Sequence, residues 1–96
     1  MSGVLLKDVT SPGVGDPVVL DSPRQDFSIQ VVIEAASGTA LIAWEVSIDG
    51  VHWSEVARGQ YGSIMLPLRG YPTQMMRGNV LGVSGGASVT AYLVAA

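Results

Sequence analysis

Phe27-Ser28-Ile29-Gln30-Val31-Val32-Ile33-Glu34 is the stretch whose reading decides the fold. Phe27, Ile29, Val31 and Ile33 fall on one parity, with Ser28, Gln30 and Glu34 on the other. A strand with one buried face requires that period of two. Downstream, Ala35-Ala36-Ser37-Gly38-Thr39 reads as a turn. A second strand then places Ile42, Trp44, Val46 and Ile48 inward and Glu45 and Ser47 outward. Asp49-Gly50 marks a reversal, and His52–Arg58 is the return strand of a hairpin, since Asp-Gly between alternating apolar residues is a strong hairpin signal. Two registers fit. A two-residue loop pairs Val46 with Trp53 and sends both tryptophans inward, whereas a three-residue loop with a bulge sets Trp44 against Val56 and turns Trp53 outward.

Two weaker strands follow, Tyr61–Leu68 and Gln74–Val83, with Pro67, Gly70 and Pro72 between them. Ser84-Gly85-Gly86-Ala87 is a further turn. In Ser88–Val94, the residues Val89, Ala91 and Leu93 alternate against Thr90, Tyr92 and Val94. Toward the N-terminus, residues 4–10 read as a short edge strand and Val18–Leu20 as another. Pro12, Gly13, Gly15, Pro17 and Pro23 exclude a central strand or a helix interior from Thr10–Asp26, because each proline removes a backbone donor. The chain therefore divides into an N-terminal arm with edge pairing (1–25) and a sandwich domain (26–96). No window of more than eight residues carries a 3.6-residue period. Seven or eight short strands predict an all-β fold, an antiparallel β-sandwich of immunoglobulin-like or jelly-roll-like type with a Pro/Gly-rich arm.

The chain has 96 residues, 14% of them charged and 48% hydrophobic, and no cysteine. One domain of this mass should fold to an accessible surface of ~5,200 Å². With no disulfide to form, and with His52 the only histidine, the staple left to so small a core is association with other chains. A charge content well below the ~25% of average globular chains leaves much of the exterior for interfaces. The five basic residues, Lys7, Arg24, Arg58, Arg69 and Arg77, are scattered under a net charge of −3, which excludes a nucleic-acid footprint. No apolar run approaches the ~20 residues that cross a bilayer. Neither nucleic acid nor membrane is expected as a partner.

No catalytic set emerges. Ser47, Asp49 and His52 have the residue types of a triad but no nucleophile elbow around the serine. Gly13-Val14-Gly15-Asp16-Pro17 lacks the strand and helix that a phosphate loop joins. Glu45 and Glu55 have no apolar pocket to separate their pKa values. The expectation is a non-enzyme without cofactor or metal.

Two stretches carry a resemblance. Ser47-Ile48-Asp49-Gly50-Val51-His52-Trp53-Ser54-Glu55-Val56 resembles the S-x-D-G-x-x-W-x-x-V hairpin of small β-sandwich modules in tailed-bacteriophage virion proteins. Discoidin-like domains, which are considerably longer, share that hairpin. Met76–Leu93, with Arg77, Val80, Gly85-Gly86 and Val89-Thr90, is similar to the final hairpin of the same phage modules. Ser47, Asp49, Gly50, Trp53, Gly85 and Gly86 are then the structural hairpin residues. The resemblance implies a virion structural protein made in the host cytoplasm, most readily a capsid decoration (cement) protein. Its partners would be the major capsid protein or other virion proteins, and it would form a homo-oligomer, with a trimer favoured. Candidate partner contacts are Val4, Leu6, Val18, Val19, Tyr61 and Tyr71. The alternative is a glycan-binding module of a tail or adhesin, with Trp53, Tyr61 or Tyr71 as the stacking platform.

Overall fold

The structure is a computed structural model that describes residues 2–35 and 38–95, and for Tyr71 the backbone alone. It contains seven strands: β1 (Ser2–Val9), β2 (Gly13–Val14), β3 (Val18–Ile33), β4 (Thr39–Ser47), β5 (Ser54–Tyr61), β6 (Ile64–Ser84) and β7 (Val89–Ala95). All pairings are antiparallel, in the order β1-β7-β3-β6-β4-β5, with β2 also on β6. The accessible surface is 5171 Å², as expected for a single compact domain of this mass.

The hydrogen-bonded path folds into a sandwich because β3 and β6 each run through two layers. In layer one, β1 and β7 lie beside Asp26–Ile33 of β3, whose Asp26–Val31 pair with Ile64–Arg69 of β6. In layer two, β5 and β4 lie beside Met75–Ser84 of β6, which is flanked by β2 and by Val18-Val19 of β3. The register of β3 on β6 slips between Val19 and Arg24 and again before Asp26. Pro23 and Pro72 flank the single Arg24–Thr73 pair between the two slips, so the missing donors fall at a corner where the ladder is already interrupted. Thr73 is buried at the corner, and its Oγ1–H donates to the Ser47 carbonyl at 3.1 Å. Two predicted strands, Tyr61–Leu68 and Gln74–Val83, are thus one bent strand: prolines that look like breaks in the sequence mark the fold line instead.

The core lies between the layers. Phe27, Ile29 and Val31 of β3, with Val89, Ala91 and Leu93 of the neighbouring β7, face Ile42 and Trp44 of β4 and Met76 and Val80 of β6. Trp44 is wholly buried, its indole N–H donating to the Tyr61 hydroxyl at 3.1 Å with the two rings 6.0 Å apart. The predicted arm contributes Leu5, Leu6 and Leu20 to this same core. The expected boundary at 25/26 falls inside a continuous β3: β1 pairs at the edge of layer one, β2 and Val18-Val19 pair in layer two, and the segment is integral to the sandwich. Leu6 lies against Gly78 of layer two, where a Cβ would come within 3.0 Å of its side chain. That contact closes the sandwich along its β1 side. A partner-contact role for Leu6 is corrected, since it is only 2% exposed.

Three further local expectations change. The β4–β5 pairing sets Val46 against Ser54, Glu45 against Glu55 and Trp44 against Ala57, with Val56 as the extra residue. Neither register anticipated from Asp49-Gly50 occurs. Ser47 is buried and Ile48 is 85% exposed, the reverse of the predicted parity: Ser47 ends β4 paired with Met75, and its hydroxyl bonds back to the loop at Asp49 and Gly50. Gly85 and Gly86 do take the turn, both with positive φ (68° and 69°) and with the Ala87 N–H on the Ser84 carbonyl. The strands they join, however, do not pair: β7 lies between β1 and β3, so the turn is an arch from layer two to layer one and not a hairpin. The turn predicted over 35–39 lies partly outside the described residues.

Candidate functional site

The loop between β4 and β5 is organised by one carboxylate. Asp49 Oδ1 accepts the backbone N–H of Val51 and of His52, each at 2.8 Å, and the Ser47 hydroxyl at 3.0 Å. Its Oδ2 lies 2.7 Å from His52 Nδ1. The His52 side-chain bond, followed by the two backbone N–H groups, holds the Asp49 carboxyl well below the usual carboxylate range. Gly50 supplies φ +77° and donates its N–H to Ser47 Oγ at 2.8 Å. Ser47, Asp49 and Gly50 are therefore folding residues. As a reactive set they fail, because the serine hydroxyl donates to the aspartate and not to a base. The tight loop pushes Ile48 and Val51 into solvent, the latter 74% exposed.

Ile48 lines a cleft of about 450 Å³ that opens beside the loop. Phe27, Val46, Leu68 and Met76 form its floor, with Asp49 and His52 on one rim and Arg69 on the other. It exists because β6 crosses between layers here while β5, the end of its layer, does not pair with the first half of β6. The lining is mainly apolar, suited to an apolar side chain of a partner. Among the described residues no group of three or more His, Asp or Glu is placed to hold a metal.

Trp53 lies on the outer face of layer two. The Arg77 guanidinium stacks over its ring at 4.3 Å, and Arg77 Nε donates to Glu45 Oε1 at 2.7 Å. Asn79 reaches the other oxygen of Glu45, and Arg58 pairs with Glu55 at 2.6 Å on the same face. Tyr61 is half-buried under its bond to Trp44. Val18 packs on the core, while Val4 and Val19 are exposed. The side chain of Tyr71 lies outside the described residues. The structure thus places Ser47 and Asp49 at the cleft and Trp53 on the outer face of layer two, separates Gly85 and Gly86 from them, and scatters the expected contacts. Sequence reasoning missed Arg77, Glu45 and Asn79 as a set, since only the fold brings residues over 30 positions apart together.

No protein-family model matches the chain, and no curated protein does. Among solved structures, the crystal structure of SPBc2 prophage-derived protein YomS superposes with a TM-score of 0.76, covering 100% of this chain and 92% of that one at 11% identity. The two share a fold.

Proposed function

We propose that this chain is a structural protein of a phage virion, acting as a capsid decoration (cement) protein that binds the head through protein–protein contacts. The observation that carries the reading is the end-to-end fold match to a prophage-derived protein. The cleft end supports it: the β4–β5 loop exposes the apolar side chains of Ile48, which lines an apolar cleft, and Val51, and such a surface gives a partner a small desolvated anchor site. The glycan reading is weaker, because Trp53 already carries Arg77 on one ring face and the Tyr61 hydroxyl already accepts a bond. The test is co-sedimentation of the purified protein with heads lacking it, alongside tails from the same phage. Saturable binding to heads, lost in Ile48→Asp/Val51→Asp, is the expected result. Binding to tails alone would move the protein to the tail, and a sugar that changes Trp53 fluorescence while heads are ignored would restore the glycan reading.

A further inference from the structure

Four strands of layer one present a second surface, on the side away from the core. Paired across it, Val4, Tyr92, Gln30 and Met65 form one row, and Ser2, Val94, Ser28 and Pro67 the next. Val4, Tyr92, Met65 and Val94 are 46%, 44%, 61% and 54% exposed. Neither row contains a charge. The ions that flank these rows are Asp26 and Arg69 at one end, paired with each other at 3.1 Å, and Asp8 at the other, whose carboxylate accepts from the Thr90 hydroxyl.

We infer that this face packs against the same face of a second copy, giving a two-fold dimer. Three observations select a second copy. An isologous contact sets like against like around its axis, and a face whose two central rows carry no charge, with Asp26, Arg69 and Asp8 only at its ends, keeps its ions at the rim of the contact. The rows alternate along each strand, as in two sheets that interdigitate about 10 Å apart. The area also suffices for a weak dimer. Four strands at about 4.8 Å spacing and seven residues at about 3.4 Å rise give roughly 19 by 24 Å, or about 900 Å² in projection over two copies. That places the contact near the lower bound of specific interfaces, about 1,200 Å² once pleats and side chains are counted. Such a contact closes at two copies, whereas a trimer needs two different surfaces on each subunit. The inference does not rest on the virion reading, because it concerns a different surface and needs no head.

The experiment is sedimentation equilibrium of the full chain from ~10 µM to ~1 mM, a range that brackets micromolar to millimolar dissociation constants. The weight-average mass should rise with concentration from 10.0 kDa toward twice that value. Tyr92→Lys should weaken association by ~10-fold or more, as expected for an aromatic at the centre of an interface. Met65→Glu, on the edge strand of the same row, should do likewise and serves if Tyr92→Lys does not fold. Arg58→Ser, on the opposite face, should leave the dissociation constant unchanged. A mass that stays single at the highest concentration, one that rises to three chains, or an Arg58→Ser effect as large as that of Met65→Glu would overturn the inference.

Discussion

The two outer faces are built on the same alternation and end up unlike. Both layers send one parity into a common core. On layer two the other parity carries Glu45, Glu55, Arg58, Arg77 and Asn79, bonded to one another and covered in part by Trp53. On layer one it carries serines, Gln30, Pro67 and four exposed apolar side chains. Core packing constrains only the inward residues, so each outward face is free to answer to its surroundings. A face whose ions satisfy one another is finished in water, and one left apolar is finished by a neighbour.

The comparison breaks most completely if the shared core is removed. Trp44→Ala should cost about 3–5 kcal/mol through lost burial and a cavity, and in a domain of this size that should abolish cooperative thermal unfolding seen by circular dichroism. Next comes the loop that ends layer two. Gly50→Ala forces a side chain to φ +77°, at a cost of about 1–2 kcal/mol read from urea midpoints. Asp49→Ala should lower the melting temperature at neutral pH. The folded carboxyl titrates below its unfolded value of about 3.9, so its stabilisation is present above that pH and is lost as pH falls toward the folded value. The variant and the parent should therefore converge in acid, and a gap that persists there would show that the contact is not ionic.

Smaller effects sharpen the contrast within layer two. A double-mutant cycle on Glu45 and Arg77, a pair mostly buried under Trp53, should give a coupling of about 1 kcal/mol. The same cycle on the more exposed Glu55 and Arg58 should give a smaller coupling, because solvent screens it. The smallest effect belongs to layer one. Tyr92→Ser, measured in dilute monomer, should change stability by no more than about 0.5 kcal/mol, since the residue is 44% exposed and lies outside the core.

The inner face was legible wherever one strand keeps one parity. Phe27–Ile33 and Val89–Leu93 announce their buried sides without help from the rest of the chain. The bends of β3 and β6 were not legible, because Pro23 and Pro72 signal interruption locally and only the pairing of Arg24 with Thr73 turns them into a corner. For the same reason the N-terminal segment read as an arm: its leucines find their burial against Gly78 and β7, far along the chain. At the site, the Asp49 cap was readable from its neighbours. The Trp53–Arg77–Glu45 stack was not, as no local spacing encodes it.

The place of β7 has a consequence for synthesis. The last of the strands to leave the ribosome is also the one wedged between the first strand and the middle of the third. Until residues 89–95 emerge, β1 has no edge to zip onto and the edge of β3 that takes β7 stays open. A nascent chain must hold β1 and β3 apart until that segment arrives, so folding should be slow and late, as it is wherever distant pairings must close first.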